Sequence, residues 1–118
     1  MNAKDLAETL KLHKKWLGGE KEGNRADLSG ANLRGADLCE ANIDYAAWPL
    51  WCNSLNAQID DRIARQLLYH TLSAIDNSIY VSNDLKKTLL TKINVCEANK
   101  FHRVDECGRL KPFQADMK

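Results

Sequence analysis

Between Arg25 and Cys52 the chain repeats with a period of five. Four blocks align in one frame: Ala26-Asp27-Leu28-Ser29-Gly30, Ala31-Asn32-Leu33-Arg34-Gly35, Ala36-Asp37-Leu38-Cys39-Glu40 and Ala41-Asn42-Ile43-Asp44-Tyr45. A fifth, Ala46-Ala47-Trp48-Pro49-Leu50, keeps the alanine and puts Trp48 where Leu or Ile stood. A helix repeats about every 3.6 residues and a strand every 2, so neither produces this rhythm. Repetition of this kind decides architecture before any single residue does.

The pattern resembles the pentapeptide-repeat family, whose chains wind into a right-handed, four-sided β-helix with one pentad per side. The resemblance implies that Leu28, Leu33, Leu38 and Ile43 fill the interior, with Ala26, Ala31, Ala36 and Ala41 pointing inward at tighter places. Elementary packing agrees, because a narrow tube needs large inward groups alternating with small ones. Asp27, Asn32, Asp37 and Asn42 suit turns, where short polar side chains bond their own backbone. Gly30 and Gly35 suit them through backbone freedom. An indole overfills a bore sized for leucine, and Pro49 removes a backbone donor, so the rhythm ends at Trp48. Trp48, Leu50 and Trp51 are expected to fold over the open end as an apolar lid. The triplet Ala57-Gln58-Ile59 has the motif's composition but stands one residue out of frame, and is not counted as a repeat. Four pentads make one circuit, and a single repeat unit cannot bury its own apolar face, so the flanking sequence must cover the rims.

Residues 1–19 read as a helix, with Ala3, Leu6, Leu10, His13 and Leu17 on one face, Leu12 and Trp16 broadening it, Asn2 as cap and Gly18-Gly19 as stop. It is expected to close the first rim. Residues 60–76 read as a second helix, capped by Asp60, with Ile63, Leu67, His70 and Ala74 sharing a face. Residues 83–99 read as a third, carrying Leu85, Leu89, Ile93 and Cys96. The tail, 100–118, offers Phe101 and Val104 as anchors. The expected fold class is therefore α/β: one short right-handed quadrilateral β-helix coil at 26–50, flanked by an N-terminal helix and a C-terminal helical segment, in a single domain spanning 1–118.

Residues 1–25 carry six Lys/Arg against four Asp/Glu, residues 26–61 only Arg34 against six acids, and residues 62–118 ten bases against six acids. An acidic middle between basic ends speaks to partners rather than to fold. No apolar run approaches a membrane span, and the first residues are too polar for a signal peptide, so a soluble cytoplasmic protein with no membrane partner is expected. Cys39, Cys52, Cys96 and Cys107 lack the regular spacing of a disulfide framework and read as free thiols. With His70 and His102 they supply metal-ligand types without a CxxC or HxxxH unit, so neither a metal nor a cofactor is expected. His70 reads as a core histidine, and Cys107, between Arg103 and Arg109, is the one candidate for a reactive thiol. Lys11, Lys14, Lys15, Lys100, Arg103, Arg109 and Lys111 could meet phosphates. Interleaved acids make solvated faces the better reading, with no direct nucleic-acid partner.

A leading helix followed by pentads looks like short repeat proteins of phage and prophage origin. The reading is a non-enzymatic interaction module that binds and inhibits or modulates a host protein, a nucleic-acid-handling or defence enzyme. Its candidate contact residues are Asp27, Asp37, Glu40, Asp44, Tyr45, Trp48, Leu50 and Trp51. Two alternatives stand beside it. Longer members of the family include acidic rods that mimic DNA toward topoisomerases, which implies a partial mimic of a topoisomerase or nuclease substrate. A small metal- or thiol-dependent enzyme is the other. If the helices cover one rim only, the other would pair with a second copy as a homodimer.

Overall fold

The computed structural model of the protein describes residues 3–29, 31–49 and 56–114. The chain divides into two compact units, Met1–Asp60 and Asp61–Lys118.

The first unit opens with α1 (Ala3–Leu17). Its end is set by the Gly18-Gly19 pair: Gly19 adopts φ 77° and donates to the Trp16 carbonyl, while Glu20 N–H reaches back to Lys15. These two bonds satisfy carbonyls that a helix end leaves unpaired. The chain then doubles back along the helix, where Asn24 N–H bonds the Leu12 carbonyl at 3.0 Å. Gly23 makes this approach possible, since a Cβ there would overlap the main chain of Lys15 and Trp16.

The pentads follow, and each is built the same way. The Asp or Asn at its second position accepts from the backbone N–H two residues on: Ser29 to Asp27, Arg34 to Asn32, Cys39 to Asp37 and Asp44 to Asn42, all at 3.0–3.1 Å. The third residue's carbonyl then accepts from the next alanine, as in Ala31 to Leu28, Ala36 to Leu33, Ala41 to Leu38 and Ala46 to Ile43. Two bonds per five residues turn the chain at every block and send Leu28, Leu33, Leu38 and Ile43 inward, where all four are buried. Ala26 and Ala31 are buried with them, while Ala36 and Ala41 are half-buried.

The expected α/β class is overturned, and with it the right-handed quadrilateral β-helix coil expected at 26–50. Among the described residues there is no strand and no sheet, and the regular structure is helical. Among the described residues, bridge pairing in the pentads is confined to two isolated parallel bridges, Asp27 with Ala47 and Asp37 with Gln58, with one further main-chain bond from Gly35 N–H to Asn56 O at 3.2 Å. The bridge bonds are Leu28 N–H to Ala47 O, Ala47 N–H to Ala26 O, Leu38 N–H to Gln58 O and Gln58 N–H to Ala36 O. The physical reason lies in the number of repeats: a single circuit has no succession of stacked neighbours along which a ladder could grow. The Ala57-Gln58-Ile59 triplet, set aside as out of frame, does pair: Gln58 takes the place opposite Asp37. Trp48 is half-buried and Pro49 is buried, while Leu50 and Trp51, the rest of the expected lid, lie outside the described residues.

The second unit contains α2 (Asp61–Asn77), α3 (Asn83–Leu89), α4 (Lys92–Ala98) and the single turn α5 (Val104–Cys107). The helix expected over 83–99 is therefore two helices. Thr91 caps the second, its Oγ1 accepting from Asn94 N–H, and the Asn94 side chain covers the Leu89 carbonyl at the end of the first. Ser82 caps α3 in the same way. The break drives Leu90 into the core and presents its carbonyl to Phe113 N–H at 3.0 Å. It also rotates the buried face of α4 to Val95 and Ala98, leaving the expected Ile93 and Cys96 exposed. On α2 the buried stripe is Ile63, Gln66, Tyr69 and Leu72 instead of Ile63, Leu67, His70 and Ala74, and His70 is exposed. Tyr69, Leu72, Leu90, Val95, Ala98, Phe101 and Val104 form the core of this unit. The two tail anchors expected from the sequence, Phe101 and Val104, are among them.

Candidate interaction surface

Among the described residues the pentad bonds leave three fifth positions in the left-handed region. Gly35 has φ 70°, Glu40 66° and Tyr45 67°. Glycine adopts this at no steric cost, whereas a residue with a Cβ gives up roughly 1–2 kcal/mol. Glu40 has one compensation, as its N–H donates to Asp60 Oδ2 at 2.6 Å. Asp60, expected as the α2 cap, thus serves the third pentad.

Tyr45 is 59% exposed and touches Trp16 edge-on, with ring centroids 6.1 Å apart. Trp16, itself 37% exposed, lies flat against His13 at 5.8 Å and carries the Arg25 guanidinium over its ring at 5.9 Å. Trp16, Tyr45 and Arg25 therefore form one aromatic and cationic patch on the first unit. The sequence placed Tyr45 among the contact residues but gave Trp16 to the helix face. The signal that joins them is His13, on which Trp16 rests.

Three of the expected acidic residues, Asp27, Asp37 and Glu40, are exposed, whereas Asp44 is only 7% exposed. Asp27 and Asp37 are not simply solvated charges. The Ser29 hydroxyl and N–H hold the Asp27 carboxyl below the usual carboxylate range, and the Cys39 N–H does the same for Asp37. Asp37 in turn pushes the Cys39 thiol up, assisted by partial desolvation. These carboxylates shape turns as well as contributing charge.

The other chemistry weighed from the sequence is placed as follows. Cys39, Cys96 and Cys107 are free and exposed, and Cys52 lies outside the described residues. Among the described residues no group of three or more His, Cys, Asp or Glu could hold a metal ion. Near Cys107, Arg103 pairs with Glu106 at 2.6 Å and Arg109 with Asp105 at 3.6 Å. Lys100 pairs with Glu97, whose carboxyl Lys100 and Arg65 hold below its usual range. Several cations that could have met phosphates are thus already engaged by acids. Among the described residues no helix is long and apolar enough to cross a membrane.

Residues 24–47 match the family model described as pentapeptide repeats (8 copies). The matched stretch holds fewer than five pentads, so it corresponds to part of that model and about a fifth of this chain. No curated protein and no solved structure matches the chain.

Proposed function

Residues 24–47 of this chain are pentapeptide repeats, and on that premise we propose that the protein is a non-enzymatic interaction module. In this reading it is encoded by a phage or prophage and binds and modulates a host protein that handles nucleic acid or serves in defence. The observation that carries the reading is Tyr45. A bulky residue with positive φ is a true outlier, and an outlier kept at an exposed position argues for a role of the side chain itself. Glycine meets the same backbone demand at Gly35. Tyrosine, tryptophan and arginine are also the residue types that dominate the centres of protein interfaces, and Tyr45, Trp16 and Arg25 lie together. Exposed Asp27, Asp37 and Glu40 add negative charge to the repeat segment, which favours a partner with a basic margin.

Affinity capture from a host lysate tests this with two variants. Tyr45→Gly removes the ring while relieving the backbone, so folding is retained, and Glu40→Lys reverses an exposed charge. The expectation is recovery of a specific host protein by the wild type and at least about tenfold less by Tyr45→Gly, with a smaller loss for Glu40→Lys. Equal recovery by all three would remove the surface from the account.

A further inference from the structure

We infer that His13 is an acid-sensitive latch that holds α1 to the pentad segment. The side chain is fully buried at 0% exposure. Its Nδ1 accepts from Ala26 N–H at 3.0 Å, and its Nε2 lies 2.7 Å from the Asp44 carbonyl oxygen. A backbone N–H can only donate and a carbonyl can only accept, so the ring must be neutral with its proton on Nε2. One imidazole therefore ties α1 to the first residue of the first pentad and to the fourth pentad.

A second proton would go to Nδ1, the atom that accepts from Ala26. The ring would then present N–H to N–H, and burial denies it water as a substitute. A buried donor without an acceptor is expensive, and the simplest relief is for the ring to leave.

The surroundings pull both ways. On its own helix the residues one turn away are Thr9, Leu10, Trp16 and Leu17, none charged. The Trp16 ring stacked on it would favour a cation. From the repeat side the charged residues at its two partners are Arg25, which opposes a second cation, and Asp27 and Asp44, which favour one. Tyr45 follows Asp44 and is neutral in acid. Each of these influences is indirect at Nδ1, whose own partner there is a donor, so the contact at Nδ1 decides. As pH falls the latch opens, α1 loosens from the pentads, and the surface that Trp16 and Tyr45 share is dismantled.

The test is nuclear magnetic resonance of the full chain with 15N-labelled histidine, following ring nitrogens and amide exchange as pH is lowered. At neutral pH the His13 ring should show the Nε2–H form, and the Ala26 amide should exchange slowly. As the His13 ring takes up its proton, Ala26 exchange should accelerate about ten- to a hundredfold, while Val95, bonded within the second unit to Thr91 O, stays protected. In His13→Gln, which keeps a donor and an acceptor but takes no proton, the step should disappear. Should that variant not fold, the wild-type comparison still decides. Protection of Ala26 that persists through protonation of His13 would overturn the latch. So would a step shared by Val95, which would mark global unfolding.

Discussion

In the repeat segment side chains serve the backbone, whereas in the Asp61–Lys118 unit the backbone mostly serves itself. Every pentad uses the carboxylate or amide at its second position to bond the main chain, and His13 adds two more main-chain bonds. In the second unit helices close their own bonds, and polar side chains work at the ends: Ser82, Thr91 and Asn94 at the helix termini, and Asn99 bonding both N–H and C=O of Leu110. A surface polar residue of the first unit is thus structural in a way that one of the second usually is not. Exposure alone does not predict tolerance here.

The largest effect that sharpens this contrast belongs to the interiors, where the two units should behave alike. Leu33→Ala and Leu90→Ala should each cost about 2–5 kcal/mol in denaturant unfolding. The exposed apolar Ile93, at 78% exposure, should give a change within about 0.5 kcal/mol when replaced by Ala. Next comes Gly23→Ala, which forces a methyl into the α1 main chain and should cost about 1–3 kcal/mol, measured by thermal unfolding. Smaller again is the pairing of Asn32→Ala with Thr91→Ala. The first removes a pentad turn bond and should cost about 0.5–1.5 kcal/mol, the second a helix cap and about 1 kcal/mol. An Asn32→Ala as harmless as an ordinary surface change would break the comparison at its root. Glu40→Gly should go the other way and stabilise by up to about 1 kcal/mol, since glycine removes the left-handed penalty but adds unfolded-state entropy.

The smallest effect is titration. Asp27 and Asp37 have folded-state pKa values below their ordinary range, so their contribution is complete above the unfolded value and is lost as pH falls through the folded one. Both are exposed, so the loss should be slight and confined to strongly acid solution. Asp37→Asn should flatten its share, as read from unfolding midpoints across pH.

The first unit was the more legible because its signal is the same few residue types at the same places, each with one mechanical duty. The inward leucines, the turn residues and the end of the rhythm near Trp48 could all be read from the sequence. What could not be read was that so few circuits leave the bridges isolated, and that Gln58 would pair despite its offset. In the second unit the helices were legible and their rotation was not. Ile63, Leu67, His70 and Ala74 also share a helical face, so spacing alone does not select Gln66 and Tyr69, although Tyr69 turns its ring against Phe101 at 4.9 Å and its hydroxyl to the Gly108 carbonyl. The break at Leu90 has a signal in the sequence: Ser82 and Thr91 each stand three residues before an N–H that they cap. His13 was placed on the correct face, but its partners, 13 and 31 residues away, are backbone atoms that no side-chain pattern advertises. The same holds for the candidate surface: Tyr45 was legible, and its neighbour Trp16 became visible only through the ring between them.

From Asp27 to Asp37 the chain advances ten residues, and between the bridging partners Ala47 and Gln58 it advances eleven. Both spans nonetheless finish opposite their counterparts. Correspondence here is kept by which groups meet, without strict counting along the polymer. A one-residue insertion or deletion away from the bridged positions can therefore be absorbed locally, and descendants of such a chain could drift in length while their interiors stay aligned.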